Sequence, residues 1–262
     1  MLRLLRERRR RQLRSRPFPE EWRAIIAGNL PFFSRLTAAD QEELLGHVQV
    51  FLAEKRFEGC DGLKLTDEIR LTIATQACLL LLHRKTDYYP RLLTILVYPS
   101  GFVVERDEPV DDVIWEQGKE GRLGETAPQM RSLVLAWDAA RYGALDPSDG
   151  KNVILHEFAH QLDFEDFVAD GVPALGSRND KRSWAEVMAM EFAALRAADD
   201  TGIPTLLDSY GATNPAEFFA VATEAFFERP LALRQRRPQL FAELQRFYRQ
   251  DPAAYSSEPA AP

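Results

Sequence analysis

The chain has 262 residues, 45% of them hydrophobic, and a net charge of −7, so it has length and apolar content for a sizeable core. No stretch approaches the ~20 apolar residues of a bilayer-spanning helix, and the basic N-terminus lacks the apolar segment and cleavage site of a secretory signal. Cys60 and Cys78 have neither metal-ligand nor redox-motif spacing, a usage that suits a reducing cytoplasm.

The charge is unevenly placed. Residues 1–16 hold eight arginines and one glutamate, and the remainder carries 25 basic and 39 acidic residues, a net charge of −14. Such a body lacks the basic face of a nucleic-acid binder, so no direct nucleic-acid contact is expected. The head itself reads as a solvated, partly disordered end. Leu2, Leu4, Leu5 and Leu13 among its arginines also permit an amphipathic helix on an anionic surface, and an electrostatic contact with the acidic body is a third option.

In chain order, residues 19–28 read as a helix and 37–54 as a second, capped at Thr37, with a third over 65–84. The period then changes, and 92–98, 102–105, 113–116 and 132–137 have strand composition. A helix beginning near residue 150 follows the turn residues Pro147, Ser148, Asp149 and Gly150. After a polar loop at 164–180 come helices near 181–199, 214–227 and 235–248. Residues 251–262, with three prolines, read as a frayed tail. Helices around a small mixed sheet make the chain α+β. One domain is expected over 17–250, with a helical part at 17–90 and the catalytic core at 91–250.

The chemistry concentrates in His156-Glu157-Phe158-Ala159-His160. Histidines four apart project from one helical face and reach one zinc ion, while the intervening glutamate is placed to take a proton from a bound water. At about 100° per residue, Ile154, Leu155, Phe158 and Leu162 fall on the opposite side. The helix therefore has its back in a core and its histidines toward a cleft. Asp163 returns to the metal face, where it could accept a hydrogen bond from an imidazole.

A catalytic zinc needs a third protein ligand and an open position. No histidine follows His160, and the other two, His47 and His83, lie on early helices as packing or surface residues. The third ligand is therefore expected to be a carboxylate. Between Asn214 and Phe227 only Glu217 and Glu224 carry charge, in a segment apolar around nearly its whole circumference. Buried carboxylates need a counter-charge, which makes Glu217 the favoured ligand and Glu224 its outer support. Alternatives remain: Glu217 could close a capping box with Asn214, and Glu186 and Glu191 are competing carboxylates.

The runs His156–Asp163 and Ala216–Val221, with Ile95-Leu96-Val97-Tyr98-Pro99, Phe102-Val103-Val104 and Leu133-Val134-Leu135-Ala136-Trp137, resemble those of the Mlc titration factor A family of bacterial zinc peptidases. The likeness covers most of residues 17–250. It implies a zincin-like core of gluzincin type, similar to that of anthrax lethal factor. It also implies zinc on His156, His160 and Glu217, with Glu157 as catalytic base in a peptidase, aminopeptidase-like in character. By the same likeness Tyr210, seven residues before Glu217, points its hydroxyl at the scissile carbonyl; from the residues alone it could equally pack in a turn before Gly211. The resemblance further implies capture of a glucose-responsive transcriptional repressor, a binding function in which catalysis is secondary or absent.

Two further expectations concern substrate. Strand 132–137, just before the metal helix, is a candidate edge strand for an extended peptide, or else an ordinary core strand. The acidic loop carrying Glu165, Asp166, Asp170 and Asp180 could shape the charge of the cleft toward a free amino terminus or basic residues.

Overall fold

The computed structural model describes residues 2–101, 124–127 (backbone only) and 131–256. The strands expected at 102–105 and 113–116 lie outside the described residues. In order the elements are α1 (Leu2–Arg14), α2 (Glu20–Asn29), α3 (Ala38–Glu54), β1 (Arg56–Gly59), α4 (Asp67–Leu79), β2 (Thr94–Tyr98), β3 (Gly124–Ala127), β4 (Ser132–Ala136) and α5 (Trp137–Leu145). The second half is helical: α6 (Val153–Asp163), α7 (Arg178–Asp200), α8 (Pro215–Glu228), α9 (Pro230–Arg236) and α10 (Pro238–Tyr248). Helices dominating one small sheet among the described residues make the fold α+β.

Local chemistry sets the helix starts. The side chains of Thr37, Thr66, Asn152, Ser177 and Asn214 each accept a backbone N–H of the first turn, satisfying donors that the helix leaves orphaned. Two expected helices are shorter or broken. The third stops at Leu79, and residues 80–84 form turns with i→i+3 bonds from Leu81 to Cys78 and Leu82 to Leu79. The helix expected over 235–248 is divided at Arg237–Pro238, because proline lacks the N–H and disfavours helical backbone in the residue before it.

The sheet has the order β1-β2-β4-β3, with β1, β2 and β4 parallel and β3 antiparallel to β4. Strand β4 is thus interior, flanked on both sides, and Leu133, Leu135 and Ala136 are fully buried. This corrects the candidate edge strand at 132–137: it is a core strand, and its last residue, Trp137, opens α5. Among the described residues the edge beside it is β3.

The arginine-rich head departs most from expectation. Residues 2–14 are helical, and Arg10, 2% exposed, donates to Glu54 through Nε and Nη2 at 2.7–2.8 Å and to Asp87 through Nη1 at 2.6 Å. Leu13 is buried with it, and α1 packs on α3. The solvated, disordered end is corrected to an anchored helix, by the contact with acidic residues that was the third option. At the other end, Pro252 and Ala253 are buried, so the part of the expected tail that lies within the described residues is packed and not frayed. Among the described residues no helix is long and apolar enough to cross a membrane.

One buried cluster, from Leu13 to Ala253, seats the second half on the first. Behind α6, Phe158 packs edge-on to Tyr89 and Phe51 with ring centres 4.9 and 5.7 Å away. This aromatic backing holds one side of α6, and α8 covers the other.

Candidate metal centre

Helix α6 is fixed at its start by Asn152. Its side-chain oxygen accepts the Leu155 N–H, while its amide donates to Gln76, to the Gly143 carbonyl and to Glu228. Gly143 makes this fit possible, because a Cβ there would stand 3.1 Å from Asn152 Cα. With α6 so placed, His156 and His160 face α8, their rings edge to face at 4.9 Å.

Asn214 caps α8 and accepts the Glu217 N–H. The Glu217 carboxylate turns toward the histidines: Oε2 lies 2.9 Å from His156 Nε2 and 3.3 Å from His160 Nε2, and the two nitrogens are 3.2 Å apart. Ligands ~2.0–2.1 Å from a tetrahedral ion stand about 3.3 Å from one another, so this triangle has the dimensions of three corners of a metal site. His156, His160 and Glu217 could hold a metal ion. The donor chemistry agrees. Glu224 Oε1 lies 2.5 Å from His156 Nδ1, which places the ring proton on Nδ1 and leaves the Nε2 lone pair facing the centre.

Charge is arranged to match. Burial works against an ionised Glu217, yet its bonds to His156 and His160 hold its carboxyl well below the usual range. Burial likewise works against a charged His156, but Glu224 and Glu217 outweigh it and favour a cation there. Either a proton or a metal ion answers that field.

The remaining expected site residues divide. Glu157 follows His156 on α6, 6% exposed and close enough to bear on the charge of that imidazole. Tyr210 lies on a 3-10 turn, Ser209–Ala212, with its ring centre 5.9 Å from that of His156 and 43% of its surface exposed. Asp208 caps the turn through the Tyr210 N–H and pairs with Lys151 at 2.9 Å. The turn is seated tightly, since a Cβ on Gly211 would stand 3.1 Å from Leu195 and 3.2 Å from Val221.

Asp163 lies near enough to His160 to feel its charge, but its hydrogen bond goes to the loop and not to an imidazole. One oxygen accepts the Gly171 N–H at 2.9 Å, the other has no partner, and burial pushes the carboxyl up to about 6. Its work is to hold the following loop to the end of α6. The competing carboxylates lie elsewhere, Glu186 on Arg182 and Glu191 facing Arg237. The acidic loop residues serve local turns: Asp166 accepts from Val168, Asp170 from Val172, and Asp180 forms a capping box with Ser177. Sequence reasoning missed Asn152, whose own N–H also donates to Glu224 Oε2 at 2.7 Å. Its signal is an asparagine directly before an apolar helical run.

The class of protein that such a centre defines is the metallopeptidases. Within it, the chain belongs to the family described as glucose-regulated metallo-peptidase M90, whose model matches residues 4–249. The match begins inside α1 and so takes in the head. Among individual relatives, an uncharacterized protein of Synechocystis sp. is 43% identical over 93% of this chain and 89% of its own length. Mlc titration factor A of Pectobacterium atrosepticum is 33% identical over 90% of this chain and 88% of its own. The same-named protein of Yersinia pestis is 31% identical over 89% and 86%.

Proposed function

We propose that this protein is a zinc-dependent peptidase of gluzincin type, with an aminopeptidase-like preference for short peptides. The observation that carries the reading is the convergence of three ligand atoms, 2.9–3.3 Å apart, from α6 and α8. His156, His160 and Glu217 are the ligands. When bound, zinc supplies a Lewis acid that lowers the pKa of water toward ~7 and polarises a carbonyl. Glu157 takes the proton from the attacking water and passes it to the departing amine. Tyr210 donates its phenolic hydrogen to the carbonyl oxygen as negative charge develops there. Glu224 holds the His156 ring in the tautomer that a ligand needs. An acidic body favours a positively charged peptide terminus by long-range attraction.

The test pairs metal analysis with a screen of aminoacyl and internally quenched peptides. Zinc at one ion per chain with cleavage of aminoacyl substrates supports the reading, and Glu157→Gln is expected to retain zinc while losing turnover. A Glu157→Gln protein that hydrolyses at the wild-type rate refutes the assigned base.

A second reading is favoured by the likeness to proteins named Mlc titration factor A, which span nearly the whole chain. Here the protein binds a transcriptional repressor of that kind, with catalysis secondary or absent. Pull-down with Mlc separates the two, because a binding role survives Glu157→Gln and a peptidase role does not.

A further inference from the structure

Away from the metal centre, a cavity of about 380 Å³ opens among residues 84–85, the segment 174–176, α7 and α10. Four cations line it, Arg84, Lys85, Arg246 and Arg249, against two carboxylates, Asp180 and Glu243. Both carboxylates are engaged. Asp180 accepts from the N–H and hydroxyl of Ser177 to cap α7, and Glu243 accepts from Arg246 at 2.8 Å and from the Ser183 hydroxyl. Arg84, Lys85 and Arg249 therefore face the cavity with no carboxylate in salt-bridge contact among the described residues.

Arg84 matters most. Its guanidinium has one long hydrogen bond, 3.4 Å to the Leu80 carbonyl, and otherwise lies over the Phe247 ring, 4.1 Å from its centre. Burial pulls it below the usual arginine range, and Glu165 acts on it only from beyond contact distance. Arg84 is half-buried, Lys85 and Arg249 are exposed, and a cation partly withdrawn from water gains from a counter-ion. Three cations left unmatched around one cavity suit an anion from outside.

We propose that this cavity binds a small phosphate monoester, its dianionic head taken by Arg84, Lys85 and Arg249. Guanidinium forks match phosphate oxygens in paired hydrogen bonds, and three cations offset two negative charges without a further partner. The volume sits at the small end of the roughly 300–1,000 Å³ typical of small-molecule sites. Asp180 and Glu243 repel a longer polyanion and offer acceptors to hydroxyls on the esterified group. The wall is held in place from behind. The Trp184 indole donates to the Gly171 carbonyl, and the Gly171 N–H donates to Asp163, each at 2.9 Å, so the segment leading to 174–176 hangs from the end of α6.

The test is calorimetric titration of the full-length, metal-loaded protein with glucose 6-phosphate, glycerol 3-phosphate, inorganic phosphate and succinate. One saturable site per chain for the esters is expected, tighter than for inorganic phosphate or succinate. Arg84→Gln and Arg249→Gln should each weaken it at least tenfold, and Glu157→Gln should leave it unchanged. Should Arg84→Gln fail to fold, the double variant Lys85→Gln/Arg249→Gln, at two exposed positions, carries the same test. Absence of saturable binding, equal binding of all four anions, or affinity unchanged in the arginine variants would overturn the proposal.

Discussion

Glu224 spans two jobs: its Oε1 lies 2.5 Å from Nδ1 of His156, and its Oε2 accepts the backbone N–H of Asn152 at 2.7 Å. One carboxylate thus ties the orientation of a candidate ligand ring to the residue that caps the helix carrying it. Removing such an outer partner typically costs about 10–100-fold in metal affinity. Glu224→Ala should lose its metal to a competing chelator at correspondingly lower chelator concentration, with the helical circular-dichroism signal retained. Unchanged metal affinity would show that packing alone orients His156.

Tyr210 stands at the mouth of the centre, more exposed than any other residue assigned there. Its turn is braced by Asp208, which in turn is held by Lys151 one residue before Asn152. A phenol this exposed and this firmly placed contributes little to the core. Tyr210→Phe is expected to lower kcat by about 10²–10³, the effect of deleting one donor to a developing oxyanion, with KM nearly unchanged. Steady-state kinetics on a fluorogenic peptide measures both. A kcat close to wild type would return Tyr210 to a packing role.

What could be read from the residues follows from where the determining contacts lie. The pairs His156/His160 and Glu217/Glu224 are legible because each is set by the period of a single helix. Asp163 has the right period too, yet its carboxylate goes to Gly171, a partner eight residues away that periodicity does not see. The anchoring of α1 is less legible still. Arg10 meets Glu54 and Asp87, 44 and 77 residues distant, and nothing distinguishes it locally from its arginine neighbours. Strand β1, Arg-Phe-Glu-Gly, has no strand composition. It pairs because β2 offers a free edge.

The same pairing makes a stability prediction. Arg10 is buried and Glu54 depends on it for compensation, whereas Asp87 is 40% exposed and also pairs with Arg6. Truncating one member of a buried ion pair leaves its partner uncompensated, at a cost of roughly 3–5 kcal/mol, and the solvent-screened Asp87 adds little to it. Arg10→Ala should lower urea-unfolding stability by about 3 kcal/mol. Arg8→Ala, exposed on the same helix, should stay within about 0.5 kcal/mol of wild type. Equal effects of the two would mean that α1 is held by Leu13 and not by its ion pairs.

Glu228 gives a prediction in pH. It is 4% exposed at the end of α8, with one oxygen on the Asn152 amide and the other unpartnered. Burial, reinforced by Glu224 and only partly opposed by the Asn152 bond, pushes its carboxyl up to about 9. Between an unfolded value near 4.5 and that folded value, the native state binds more protons than the unfolded one. Stability contributed by this group is therefore complete below the unfolded value and is lost as pH rises toward about 9, because folding must either hold the proton or bury the charge. Glu228→Gln keeps the shape of the neutral acid and removes that dependence. At fixed metal concentration the variant should melt close to wild type near pH 5 and above it near pH 8, with the gap widening steadily between. Each kcal/mol recovered should raise Tm by about 2–4 °C in a chain of this size. A gap independent of pH would mean that Glu228 is ionised in the folded protein, with its charge met by a partner on the Asn152 side.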